Sequence, residues 1–170
     1  SKENIKDLEN KESVTDFEKQ KILLKIFILQ TAINKQYEKI KNENDKLYHK
    51  PLLLTLVNSV NTDDSDLELF FREVEKIANG KGDKNLIIVA KTELEKELNI
   101  DTAKYEFEET ELNQNIIDVI RNINFDDILK YVFNSEKPGK IEVLKIPSNK
   151  QELVFKLTTS DRPFTLMKIG

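Results

Sequence analysis

The sequence predicts a mixed α+β chain, helical for most of its length, with one α/β-type strand–turn–helix unit near residue 50 and a β-hairpin or meander at its C-terminal end. Three observations lead to this. Residues 1–50 contain no Gly or Pro and carry apolar residues at spacings of three and four. Residues 52–78 pass from a continuous apolar run through a polar turn to an amphipathic pattern. After Lys137-Pro138-Gly139 the apolar residues gather into three short runs divided by turn residues.

The first element is a long N-terminal helix. Ile22, Ile26, Leu29, Ile33, Tyr37 and Ile40 recur at helical spacing, and the pattern predicts a helix from about Thr15 to Asp45. Between Ile22 and Leu29 it is apolar around most of its circumference, so it needs cover on more than one side. That run is interrupted by Lys25 and falls far short of the roughly 20 residues that span a bilayer, so no membrane partner is expected.

Lys50-Pro51 then turns the chain away from helix. Leu52 to Val57 lacks alternation, as a strand buried on both faces does. The next helix shows Leu67, Phe70, Phe71, Val74, Ile77 and Ala78 on one face and is stopped by Gly80 and Gly82. The turn between them holds Asn58, Ser59, Asn61 and Thr62. Ligands of open α/β sheets bind beyond the carboxyl ends of strands, which makes these four candidate contacts; the same residue types also serve as ordinary helix caps. Asp63, Asp64 and Asp66 lack the spacing and glycine of a calcium loop and suit the first turn of a helix.

Leu86, Ala90, Leu94 and Leu98 predict a helix over 85–98. Residues 99–115, with Glu106, Glu108, Glu109 and Glu111, read as an acidic irregular loop. Two short helices follow, about Asn113–Asn122 and Phe125–Phe133, whose buried faces are Ile116, Val119, Ile120, Ile128, Leu129 and Val132. The predicted strands are Ile141–Ile146, Glu152–Leu157 and Phe164–Ile169, with a turn at Ser148-Asn149-Lys150 and another at Asp161-Arg162-Pro163. Lys145, Lys150, Lys156 and Arg162 are candidates for one exposed basic surface, although edge lysines also discourage strand pairing.

The 170 residues suit one domain, or one with a small insert. The expected divisions are 1–48, a long helical segment; 49–82, the strand–helix unit; 83–136, an acidic helical insert; and 137–170, a basic β-hairpin region whose final strand returns to the sheet beside residues 52–60. Charge follows these divisions. Residues 1–62 carry 11 basic and 9 acidic groups, residues 63–136 carry 9 and 19, and residues 137–170 carry 7 and 3, so only the C-terminal part suits a polyanion. With no Cys, thiol chemistry and Cys-ligated metals are excluded, and a cytoplasmic location is the default. The single histidine, His49, cannot build a multi-His metal site within one chain. There is no G-x-x-x-x-G-K-[ST] or G-x-G-x-x-G, so no residues here are expected to hold a triphosphate. The start without Met and the end directly after a strand-like run lead to the expectation of an excised fragment.

Two blocks carry a family resemblance. His49-Lys50-Pro51-Leu52-Leu53-Leu54-Thr55-Leu56-Val57-Asn58-Ser59-Val60-Asn61-Thr62, followed by Ser65 to Phe71, resembles a segment of the helicase-like restriction (Res) subunit of type III restriction enzymes. Leu129 to Val143 and Leu157 to Phe164 resemble the same family. The resemblance implies a DEAD/DEAH-box superfamily 2 motor, with two RecA-like lobes that use ATP and magnesium to move on DNA, an endonuclease domain further on and a modification methyltransferase subunit as partner. This chain would then be a partial RecA-like second lobe with an insert, and Asn58, Ser59, Asn61 and Thr62 would fall where the fourth helicase motif begins. The parent would be a bacterial hydrolase of a restriction–modification system. The alternative is a free-standing protein–protein interaction module that uses the long helix and the acidic middle.

Overall fold

In the computed structural model the described residues are 16–43, 66–101 and 110–168. They form five helices and three strands: α1 (Asp16–Glu43), α2 (Asp66–Ala78), α3 (Lys84–Asp101), α4 (Thr110–Asn122), α5 (Phe125–Phe133), β1 (Ile141–Ile146), β2 (Asn149–Leu157) and β3 (Pro163–Lys168). The mixed α+β class and the long N-terminal helix are as expected. The strand–helix unit is represented by its helix, α2. The apolar run 52–57, its neighbour relation to the last strand and the turn holding Asn58, Ser59, Asn61 and Thr62 lie outside the described residues.

Helix α1 is central and touches each of the other four helices, which is the cover on several sides that its composition demands. Its core face is Leu23, Leu24, Phe27, Ile28 and Ala32. This corrects the stripe read from the sequence, because Ile22 and Ile26 stand 51% and 39% exposed. A helix apolar nearly all round has a clear period but no unique inner face; packing makes that choice. In α2 the choice is dictated by polar residues opposite, and Val74, Ile77 and Ala78 are buried as expected; in α3 Leu86, Ala90 and Leu94 are buried as expected, while Ile88 stands 62% exposed.

Helix α3 continues to Asp101 and α4 begins at Thr110, so part of the expected loop 99–115 is helical. No Gly or Pro occurs there to stop a helix, and an acidic surface is compatible with one. Helix α5 is bounded by side-chain chemistry. Asn124 accepts from the Asp127 amide at 2.9 Å, and the Asp127 carboxylate accepts from the Asn124 amide at 3.0 Å, a reciprocal capping box. At its other end Asn134 adopts φ +50°, a left-handed conformation that asparagine tolerates.

The strands form an antiparallel meander in the order β1-β2-β3. Asn149 and Lys150 already belong to β2, and the hairpin turn is Pro147-Ser148. A register shift between Lys145 and Ile146 accommodates the tighter turn. Register puts Ile141, Val143 and Lys145 on one face with Leu157, Phe155 and Leu153. Phe155 and Leu157 of that face are buried, and Phe71 of α2 stacks flat on Phe155 with ring centres 4.1 Å apart. Phe133 joins the two parts of the fold, making edge-to-face contacts with Phe27 at 5.5 Å and Phe164 at 5.1 Å. One buried cluster runs from Leu23 of α1 to Leu157 of β2 and takes residues from α3, α4 and α5, so the segment read as an insert supplies part of the main core.

Candidate functional site

The segments that surround the start of β1 meet in a hydrogen-bonded junction. Helix α2 ends because Gly80, at φ +71°, leaves the helical conformation, with its amide on the Ile77 carbonyl at 3.1 Å. This leaves the Ala78 carbonyl free of an intrahelical partner, and the Gly139 amide donates to it at 3.0 Å. Gly80 lies against Pro138: a Cβ placed on Gly80 would stand 3.1 Å from the Pro138 ring. Two residues further, the Ile141 amide donates to Glu75 Oε2 at 2.9 Å.

The 158–162 turn closes the other side. Thr158 and Lys140 exchange bonds, amide to carbonyl at 2.9 Å and amide to Oγ1 at 3.2 Å. Thr159 Oγ1 donates to the Lys137 carbonyl at 2.8 Å, and the buried Ser135 Oγ donates to the same carbonyl at 2.7 Å. Ser160 Oγ donates to the Asn134 carbonyl at 2.5 Å, while Asn134 Nδ2 donates to the Pro163 carbonyl at 2.7 Å. Gly139 has to be glycine in this packing, since a Cβ there would stand 2.6 Å from Thr159 Oγ1. Short polar side chains replace ladder hydrogen bonds here and hold three chain segments in one arrangement.

The candidate basic residues separate in the structure. Lys145 and Lys156 lie on opposite faces of the meander by register, so they do not share a surface. Lys145 is exposed. Lys156 sits on the central strand, which corrects its reading as an edge residue, and its ammonium is held by Glu142 at 2.9 Å and the Ser160 carbonyl at 3.1 Å. Lys150 falls in β2. Arg162 is exposed in the junction turn, where its amide donates to Ser160 Oγ at 3.1 Å. Sequence reasoning did not single out Lys81, Lys137 and Lys140, which are exposed on the same junction. The clue was present in the glycines and proline beside them, which mark close backbone approach.

Away from the junction several charged groups of the helices are engaged with one another. Lys21 bonds Glu18 and Glu93, and Lys25 bonds Glu93 and Glu97, tying α1 to α3. The hydrogen bonds that its ammonium donates to Glu18 and Glu93 hold the Lys21 pKa above its ordinary value. Burial would push the Glu73 carboxyl up, but Lys76 and Gln20 outweigh it and hold the group below the usual carboxylate range. Tyr131 donates to Glu38 at 2.8 Å; burial first, and this bond second, push its phenol up to about 12. Each of these arrangements is a satisfied surface contact.

The resemblance implies ATP and magnesium for the parent protein. The sequence has no phosphate-cradling glycine loop, and among the described residues no group of three His, Asp or Glu is placed to hold a metal ion. No helix among the described residues is long and apolar enough to cross a membrane. Comparison with protein-family models, with curated proteins and with solved structures finds no match to this chain.

Proposed function

We propose that this chain is part of the helicase-like restriction (Res) subunit of a type III restriction–modification system. In that reading it contributes scaffold to the second RecA-like lobe and contacts to the DNA backbone, while residues outside this chain hold ATP and magnesium. The methyltransferase subunit is the protein partner of the parent.

The observation that supports the reading is a convergence. The described residues that carry the resemblance come from 66–71, 129–143 and 157–164, stretches far apart in sequence. The second and third meet directly at the junction, through Ser160 with Asn134 and Thr158 with Lys140. The helix that begins with the first stretch reaches the same place through Ala78 with Gly139 and Glu75 with Ile141. The less distinctive acidic segment, α3 and α4, packs on α1.

The test is DNA-stimulated ATP hydrolysis by the native polypeptide, captured from source cells with an antibody against this chain. Magnesium-dependent hydrolysis that rises on adding duplex DNA is the expected result. A captured polypeptide of about the mass of this chain with no such activity overturns the reading.

A second reading, an interaction module built on the long helix, is favoured by one observation: the exposed Ile22 and Ile26 on α1. Duplex-DNA anisotropy at two salt concentrations separates the readings, since phosphate contacts impose a negative salt slope and docking of a protein does not require one.

A further inference from the structure

We propose that Asn79, in the turn that ends α2, is a site of spontaneous deamidation, and that its conversion to isoaspartate loosens the junction. The reaction needs only water and is independent of the proposed function.

An asparagine amide is chemically labile where the next residue lets its own backbone nitrogen reach the side chain. Among the asparagines of the chain only Asn79 is followed by glycine. Gly80 is exposed and has no Cβ to obstruct the approach. The Asn79 side chain is also activated, because its Oδ1 accepts from the Lys81 amide at 2.9 Å. That bond draws electron density from Cγ and stabilises the charge that grows on Oδ1 during attack, as an oxyanion-hole donor does in acyl transfer.

The Gly80 nitrogen, once its proton has gone to hydroxide, bonds to Asn79 Cγ; the Cγ–Nδ2 bond breaks, ammonia leaves, and a cyclic succinimide remains. Water then opens the ring. Addition at Cγ gives aspartate, and addition at the main-chain carbonyl gives isoaspartate, in which the backbone runs through Cβ and Cγ. The balance is water in and ammonia out, with no oxidation.

Asn134-Ser135, in the same junction, shows how the fold suppresses this chemistry. Asn134 Nδ2 donates to the Pro163 carbonyl at 2.7 Å, and the amide of the buried Ser135 donates to the Leu129 carbonyl at 3.0 Å. Leaving group and nucleophile are both held there. At Asn79 the nucleophile is restrained by a single bond, the Gly80 amide on the Ile77 carbonyl at 3.1 Å, in an exposed turn at a helix end. Such ends open locally at little cost. Asn79 therefore reacts more slowly in the folded chain than in the unfolded one, and ahead of Asn134.

The product is badly placed for the junction. Isoaspartate adds a backbone atom between Ala78, whose carbonyl takes the Gly139 amide, and Gly80, which abuts Pro138. Both contacts cannot be kept. The new carboxylate also stands at the C-terminal end of a helix, where the dipole opposes it, and one turn from Glu75.

The experiment incubates the full chain under native conditions at neutral and at mildly alkaline pH and follows the tryptic peptide Ile77–Lys81 by mass spectrometry. The peptide should gain the mass of amide-to-acid conversion and split into aspartate and isoaspartate forms, at a rate that rises in proportion to hydroxide. The melting temperature should fall as the isoaspartate fraction grows. Asn79→Gln, whose longer side chain closes such a ring far more slowly, should hold its melting temperature over the same incubation. Asn79→Asp, measured fresh, carries the charge without the added backbone atom and should melt between fresh and aged wild type. Asn79 left intact in the folded chain by an incubation that converts it in urea, or Asn134 converted first, overturns the site. Conversion at Asn79 with an unchanged melting temperature overturns its effect on the junction.

Discussion

On α1 and α3 a cation is a structural part: Lys21 and Lys25 alternate with Glu93 and Glu97 along a helix–helix seam. At the junction the structural work is done by Ser135, Thr158, Thr159 and Ser160, and Lys137, Lys140 and Arg162 are left exposed. The same residue types therefore carry different meanings in the two regions. Charge density alone would direct attention to the helices, where almost every strong charge pair is internal.

The comparison breaks if the two regions are separate folding units, and Phe133 decides that. It is fully buried, with Phe27 on one side and Phe164 on the other. Phe133→Ala removes both ring contacts and should cost about 3–5 kcal/mol in urea unfolding. Because the core is shared, unfolding followed by circular dichroism, which reports the helices, and by the backbone amide NMR signals of β2 should give coincident transitions in the wild type. Two separated transitions would mean that the helical and junction regions unfold independently.

Within the junction, Gly139→Ala should cost about 1–3 kcal/mol. The new Cβ would meet Thr159 Oγ1 at 2.6 Å and Thr158 Oγ1 at 3.0 Å, and both hydroxyls are in use as hydrogen-bonding groups. Thr159→Ala alone loses the bond to Lys137, yet in the double variant it relieves the clash, so the two losses should sum to less than their separate values. Strict additivity would show that the two chain segments are not in contact in solution.

How far the sequence discloses these two regions differs for a physical reason. Helix positions follow from residue spacing, as Leu86, Ala90 and Leu94 show by being buried together. The orientation of α1 does not follow, because Ile22 and Leu23 are equally apolar and only tertiary packing tells them apart. Strands β1 and β3 are legible as runs, whereas the register that puts Lys145 and Lys156 on opposite faces depends on a turn one residue earlier than the polar triplet suggests. The junction is the least legible part. It is made by contacts across some 60 residues of sequence, such as Glu75 with Ile141, and no local pattern encodes them. Only the isolated glycines Gly80 and Gly139 point to it.

A smaller effect sharpens the account of how the helical region is bounded. Asn124→Ala should cost about 1 kcal/mol, the usual worth of an N-cap. Asp127 completes the cap and also meets Lys35 of α1 at 3.0 Å, so Asp127→Asn should weaken the helix start and the α1–α5 contact together. If the two variants gave equal losses at high salt but not at low salt, the difference would measure the Lys35 pair, which salt screens and the cap geometry does not.

The smallest expected effect is the acid response of the helix seam. The hydrogen bond from Lys21 and the neighbouring positive charges hold the Glu93 carboxyl below its ordinary range. A carboxylate whose folded pKa is depressed contributes stability above its unfolded pKa of about 4.3 and loses that contribution as pH falls through the folded value. The melting temperature of the wild type should therefore fall more steeply from about pH 5 to about pH 3 than that of Glu93→Gln, which has no proton to gain there. High salt should narrow the gap, since the seam is at the surface. Lys137→Gln, whose side chain makes no ion pair among the described residues, should follow the wild-type curve. Parallel acid slopes for wild type and Glu93→Gln would remove the structural role assigned to the seam charges.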